Sequence, residues 1–440
     1  MGRFSAERIS LKNLQTYHHA YLNNFNDQET LVEAISNRPG FCGHNPIAYL
    51  SLVARRPTLE LSDLDEALFN DKTLIRVPAF RGALCLISSA DYPIYFRTFH
   101  NYLLQKGMSK LNDFGINKSE LLDFSSLLKS VHFSQPLSLD ELFSIIFTTQ
   151  KTLPDKTLMH LIAQKLCDMG VLIRIASKGW KGNDFNYMLL EKWLKELSLN
   201  RVVNPEVAKT ETVRKYLRAY GPVAVNDISY WSGLSIVQCQ KALLNLKKEI
   251  VRVHVDGYKE DMIALKESME LMKKKLFNEE EVLMLPSWDP YTSGWDCKKR
   301  LADKEFLPFI FDSKGNATSV IVHLGKIIGV WQFREQEVGI LEFCLFDKYA
   351  EHKPMILYKI QEFCGILKKI SKLSIVNILE RPLLESLEKR EENAFLWPLG
   401  KNKASYTSIN NNFDKRTSNI LKQPYLDNSY LIKPTDHKIG

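Results

Sequence analysis

From Gln28 onward, apolar residues recur at the three- and four-residue spacing of helices buried along one face. Leu31, Ala34 and Ile35 open one helix, and Ala48 to Ala54 forms a second. Ser62, shortly before Asp65 and Glu66, reads as an approximate capping box for a third, Asp63 to Phe69. The period then shortens, and Leu74 to Val77 and Ala83 to Ser88 read as strands split by Phe80-Arg81-Gly82. Residues 1–25, polar and aromatic with His18 and His19 adjacent, predict a short leading helix. Three short helices followed by a two-stranded ribbon is the layout of a winged helix-turn-helix unit.

The same layout is predicted twice more. Ser138 precedes a helix opening at Asp140-Glu141, Thr157 to Met169 makes a long helix, and Gly170 ends it before Val171-Leu172-Ile173. Gly179-Trp180 and Asn186-Tyr187-Met188 then read as a hairpin. After Lys209, Val213 to Ala219 forms a helix stopped by Gly221-Pro222, Asn226 caps Asp227 to Trp231, and Ser235 caps a helix reaching Lys248. Ile250 to Val255 closes that unit, with Gly257 at the turn. Beyond it, Val282 to Leu285, Ala317 to Leu324, Lys326 to Phe333 and Gly339 to Leu345 have strand length, with Gly325 between two of them. Pro354 to Lys369 returns to helix. The expected fold class is α+β: three tandem winged helix-turn-helix units plus a C-terminal antiparallel β module. The segments are 1–130, 131–205 and 206–275 for the winged units and 276–385 for the β-rich module with its closing helix. The polar remainder, 386–440, and above all its Asn- and Ser-rich part 402–440, reads as a flexible tail.

Composition changes this picture little. The chain has 440 residues with a formal net charge of +8, and its 45% hydrophobic and 25% charged content is that of a globular protein. No uncharged apolar run approaches the ~18 residues that span a bilayer. The opening Met-Gly-Arg-Phe-Ser-Ala lacks a secretory apolar stretch, and Ala6 breaks the myristoylation pattern. The seven cysteines are odd in number and scattered, without zinc-ligand spacing, so we expect no metal, no cofactor and a reducing, cytoplasmic setting. Mild positive charge permits a nucleic-acid partner through phosphate contacts. Arg214, Lys215 and Arg218 on the first helix of the third unit, and Lys241, Lys247 and Lys248 on its third, are the candidate phosphate-binding residues. The plainer reading of that basic face is a solvated surface or a protein-interaction winged helix.

Leu217-Arg218-Ala219-Tyr220-Gly221-Pro222, followed by Trp231-Ser232-Gly233-Leu234, resembles the AlkZ/YcaQ family, the winged-helix DNA glycosylases. Three further blocks agree in order: Leu74 to Leu84 with its Arg81-Gly82, Gly179-Trp180 through Tyr187 to Trp193-Leu194, and Leu285-Pro286-Ser287-Trp288-Asp289-Pro290-Tyr291 with Gly294-Trp295. A glycine-turn strand pair, Gly325 to Trp331, follows them. The resemblance covers about residues 25–350. It implies tandem winged helices and a β module around a concave basic surface that binds duplex DNA. It also implies hydrolysis of the N-glycosidic bond of alkylated purines, including bulky adducts and interstrand crosslinks, by a monofunctional, metal-free enzyme associated with the nucleoid. Alkylation at N7 makes the base cationic and already activated as a leaving group, so the protein has mainly to stabilise an oxocarbenium-like sugar and position a water.

The chain departs from the family where the family carries glutamine-x-glutamine or glutamine-x-aspartate. It reads Pro39-Gly40-Phe41-Cys42-Gly43-His44-Asn45-Pro46. In one register Cys42 and His44 hold the two motif positions; a one-residue gap brings in Asn45. His44 could orient or deprotonate a water, Asn45 could replace one amide, and Cys42 is a weak donor with no carbonyl. Against this, Asn45 reads as a helix N-cap and His44 as a turn residue. Cys85 is a second departure, standing where many relatives carry a histidine. Trp288, Asp289 and Tyr291 are expected to line the cleft, their rings stacking on an extruded base, although Asp289 before a proline also reads as a turn former. Arg81 is a candidate phosphate contact, although a strand-end arginine on a solvated face is the commoner case. The alternative function is a non-catalytic DNA-binding regulator or lesion-binding factor, and a third is a protein-interaction scaffold. A monomer is expected.

Overall fold

A computed structural model describes residues 6–23, 25, 28–131, 133–148, 154–176, 178–179, 184–194, 203–273, 281–312, 315–335 and 338–380. The tail 386–440 and Trp180 lie outside the described residues.

The fold is α+β. Strand β1 (Glu7–Ile9) leads into the helix Leu11–Asn23, and the helices Leu31–Ser36, Ile47–Val53 and Leu61–Asp65 come next. They accompany an antiparallel sheet of β2 (Phe41–Cys42), β3 (Leu74–Pro78) and β4 (Leu84–Ser88), in the order β2-β4-β3. Helices Tyr92–Gln105, Met108–Asp113 and Lys118–Ser130 follow. Helices Leu139–Ile146 and Lys156–Asp168 then lead to a hairpin of β5 (Leu172–Ala176) and β6 (Phe185–Leu189). Helices Pro205–Tyr220, Val225–Ser232 and Ile236–Asn245 precede a second hairpin, β7 (Ile250–Val255) and β8 (Met262–Leu265). The last sheet has the order β13-β12-β11-β10-β9. Its strands are β9 (Val282–Leu285), β10 (Val320–His323), β11 (Lys326–Arg334), β12 (Gly339–Leu345) and β13 (Val376–Glu380), with the helix Lys353–Ser371 packed on it.

Several local expectations need correction. The leading segment is not helix alone, because β1 precedes the helix and pairs in parallel with β7, Glu7 opposite Val253. The C-terminal sheet is not wholly antiparallel, since β13 runs parallel to β12. Ser62 is not a cap; the helix begins at Leu61, and the Asp63 carboxylate accepts the Glu60 N–H at 2.8 Å. Asn226 lies inside its helix, and the Asp227 carboxylate instead accepts the Ala224 N–H at 3.0 Å. The predicted helix to Phe69 loosens into a π turn over Glu66–Asn70. Ser138 and Ser235 do cap their helices, each reciprocated by the side chain three residues on.

One apolar core runs through the helices and the C-terminal sheet, from Leu22 to Leu367. At its centre the helix Pro205–Tyr220 packs on Tyr92–Gln105, where the Thr98 and Thr212 hydroxyls meet at 2.9 Å. Two fully buried tyrosines of the same helix reach the C-terminal part: the Tyr216 hydroxyl donates to Gly294 O at 2.7 Å, and that of Tyr220 to Pro290 O at 3.0 Å. Arg55, just past the helix Ile47–Val53, grips Asp289 through two 2.7 Å bonds with both side chains fully buried. These long-range ties bring four stretches of chain around one hollow. Among the described residues no helix is long and apolar enough to cross a membrane.

Candidate active site

The hollow encloses about 160 Å³. Its walls come from the turn around β2, the Phe80–Leu84 connection, the helix and hairpin holding Gln164 and Arg174, the helix ends at Tyr220 and Trp231, and Trp288, Pro290, Ser293 and Asn316. Five rings, Phe41, Phe80, Tyr220, Trp231 and Trp288, share these walls with the polar side chains of His44, Arg81, Gln164, Arg174, Ser293 and Asn316, an aromatic pocket with convergent polar groups.

Cys42 and His44 both face this cavity. Cys42 ends β2 opposite Cys85 of β4, and both thiols are unbridged. Burial pushes Cys42 up to about 11, despite the backbone N–H of His44 at the sulfur, and raises Cys85 further. Neither is a thiolate near neutral pH. His44 is buried, its ring packs edge-to-face with Phe185 at 6.1 Å between ring centres, and its Nδ1 has no hydrogen-bond partner. Burial, followed by the nearby Arg174 and Arg76, lowers its pKa to about 3. The imidazole is thus neutral, and one ring nitrogen is an acceptor.

Asn45 is elsewhere. Its Nδ2 donates to Gly179 O at 2.7 Å, and its Oδ1 accepts from Arg76 Nη2 at 2.9 Å. Nor does it cap the next helix: Pro46 holds the N-cap position without a side-chain bond, and His44 O receives the Ala48 N–H. Asn45 is a strut between the first sheet and the loop after β5, and it is absent from the cavity wall.

The other expected cleft residues separate in the same way. Trp288 lines the cavity, in a left-handed conformation with φ +57°. Asp289 and Tyr291 do not. Asp289 is consumed by Arg55 and by the Tyr291 N–H at 2.9 Å, and the Tyr291 hydroxyl donates to Gly325 O at 2.5 Å. Arg81 does line it, also left-handed at φ +52°, with its carbonyl held by the Lys106 ammonium at 2.6 Å.

The basic residues expected on phosphates along the helices Pro205–Tyr220 and Ile236–Asn245 are largely spent on carboxylates. Arg214 holds Glu249 at 2.8 Å and also Glu211, and Arg218 holds Glu267 at 2.9 Å. Lys241 holds Glu206 at 2.9 Å. Lys215 reaches back to Asp91 at 3.0 Å and Ser36 O at 2.9 Å, so it staples two parts of the core. Lys247 is exposed and makes no ion pair among the described residues.

Sequence reasoning missed Gln164, Arg174, Tyr220, Trp231 and Asn316. Gln164 is buried, and its amide nitrogen donates to Asp168 Oδ1 at 2.8 Å. The signal for Trp231 and Tyr220 was present in the family-like blocks, but nothing local distinguishes a cavity-lining ring from a core one.

A family model described as "DNA glycosylase AlkZ-like" matches residues 43–363. The solved structure of the Streptomyces sahachiroi DNA glycosylase AlkZ superposes with a TM-score of 0.67 at 17% identity, covering 86% of this chain and 100% of that one. At that identity the likeness speaks for the fold. No curated protein matches the chain significantly in sequence. The family match spans most of the molecule and all of the cavity-forming segments but the first few residues of the β2 turn, and so the chain belongs to the AlkZ-like DNA glycosylases, a family of DNA-repair enzymes.

Proposed function

We propose that this protein excises alkylated purines, substituted at N7 and including bulky or crosslinked adducts, from duplex DNA. The observation that carries this is the aromatic-walled cavity with neutral His44 in its wall and its Nδ1 unpaired. A damaged nucleotide rotated out of the stack would place its cationic base among Phe80, Trp231 and Trp288, where ring faces favour positive charge. Water then attacks C1′ as the C1′–N9 bond breaks, and the bonding pair returns to the base and cancels its charge. His44 accepts one hydrogen bond from that water, and the Gln164 amide oxygen offers a second. With a pKa near 3, His44 orients the water instead of holding its proton, which passes to solvent once the sugar cation is captured. We read the helix and hairpin sets of segments 1–130, 131–205 and 206–275 as three winged helix-turn-helix units, with the β module in 276–385, and place the protein on the nucleoid.

The second reading, a DNA-binding protein without excision, is favoured by one observation. The neutral thiol of Cys42 supplies no carbonyl acceptor where the family's first glutamine would be. Single-turnover excision on a duplex with one N7-methylguanine decides between them. Base release that falls about 100-fold in His44→Ala supports the glycosylase. Salt-sensitive binding with no release, from this lesion and from a bulky N7 adduct alike, supports the second reading. Release untouched by His44→Ala removes His44 from the mechanism.

A further inference from the structure

Arg81, Tyr230 and Lys298 make a second polar cluster beside the cavity, and Arg81 of the three lines its wall. The Arg81 guanidinium lies 4.6 Å from the centre of the Tyr230 ring, and the Lys298 ammonium lies 5.0 Å from the same centre. Both cations are held from behind. The Arg81 carbonyl accepts the Tyr102 hydroxyl and the Lys106 ammonium, fixing a left-handed residue that any other arrangement would relax. A Cβ on Gly233 would stand 3.2 Å from Arg81 Cγ, so the third unit's turn braces the side chain. Lys298 donates to Thr292 O at 3.1 Å and Trp295 O at 2.6 Å, and its third N–H faces the Tyr230 hydroxyl, which the Arg81 guanidinium also meets.

Two cations share this spot, and neither has a carboxylate within ion-pair distance among the described residues. Arg214, Lys215, Arg218 and Lys241 each have one. The potential between Arg81 and Lys298 is felt by the tyrosine. Burial alone would raise the Tyr230 phenol, yet Lys298 and then Arg81 bring it below its usual value. The cluster is continuous with the cavity on both sides, through Arg81 itself and through Asn316, whose neighbour Gly315 faces the Tyr230 hydroxyl.

We propose that Arg81, Lys298 and the Tyr230 hydroxyl bind one phosphodiester of the DNA, the linkage flanking the nucleotide whose base enters the cavity. A phosphodiester supplies the missing negative charge and two oxygens, one for the planar guanidinium fork and one for the ammonium. This rests on the proposal that the cavity takes an extruded base, and it assigns the anchor that would hold the backbone during extrusion.

The test is a cycle of protein and DNA changes read by equilibrium binding. The full chain is titrated with duplex carrying a single tetrahydrofuran abasic analogue, with each flanking phosphate replaced in turn by a neutral methylphosphonate. One of the two neutral linkages is expected to weaken the unaltered protein about tenfold. Lys298→Met and Tyr230→Phe are each expected to weaken binding to the all-phosphate duplex and to lose nothing more at that linkage. The slope of log K on log salt should fall by about 0.9 in Lys298→Met. Full additivity of protein and DNA changes at both linkages overturns the proposal, with Tyr230→Phe guarding against misfolding of the lysine variant. Because the readout is binding, a protein that binds but excises nothing loses the glycosylase reading while the clamp is still decided. A protein that does not bind the duplex loses both.

Discussion

Arg55 spends its guanidinium entirely inside the molecule. Nε donates to Leu22 O, Nη1 to Ser51 O and Asp289, and Nη2 to Asp289, with Phe41 5.2 Å beneath the charge. Removing one member of such a pair strands a buried charge, so Asp289→Ala should lose about 3–5 kcal/mol in urea denaturation. Adding Arg55→Met to Asp289→Ala should cost much less than Arg55→Met alone, since the charges are then removed together. From sequence, Asp289 before Pro290 reads as a local turn former. It is one, through the Tyr291 N–H, but its main partner lies 234 residues away and leaves no local trace. Asn45 is the same case, a polar residue whose bonds to Arg76 and Gly179 no spacing announces.

The buried histidines give a second expectation at this scale. His18, bonded through Nε2 to Gly221 O at 3.0 Å, and His44 both have pKa values near 3, lowered chiefly by burial. Between pH 6.5 and 3 the unfolded chain binds protons there and the folded chain does not, so stability rises with pH across that window. It is fully present above pH 6.5 and is lost on acidification, by about 1.4 kcal/mol per pH unit for each histidine. His18→Gln should flatten that slope by one histidine's share in urea titrations from pH 7 to pH 4. For the same reason the excision rate should show no His44 limb near pH 6.5.

Elements with a strong period or a reciprocal cap were legible. Ile250 to Val255, Val282 to Leu285 and Gly339 to Leu345 fold as the strands expected, and Ser235 starts its helix with Gln238 answering. β1 and β13 were not legible, because three or five residues of strand acquire meaning only from a parallel partner, β7 and β12. The turn at Gly325 was foreseen, but not what presses on it. A Cβ there would meet Gln15 O at 2.0 Å, in a backbone with φ +79°, whereas Gly257 at φ +85° faces open space. Gly257→Ala should therefore cost about 1 kcal/mol for conformation alone, and Gly325→Ala about 1–3 kcal/mol more for overpacking. Paired denaturation curves would measure that gap, and equal losses would show that the helix Leu11–Asn23 yields without cost.

At the scale of the whole molecule, the surplus of eight positive charges is less informative than where the unpaired ones stand. Most cations expected on a groove-facing surface are neutralised by the protein's own carboxylates. Arg81 and Lys298, with no carboxylate at ion-pair distance among the described residues, stand beside the cavity on which four stretches of chain converge, which no reading of one segment at a time could locate. Elsewhere the chain closes over a long span: β1 lies beside β7, and Gln15 donates to Arg300 O at 2.7 Å. On the ribosome, Ile9 is made well before its partner Val255, a wait of about 12 to 50 s at ordinary elongation rates. β1 stays without that partner throughout the interval, so its place in the fold is settled only once a segment far downstream exists.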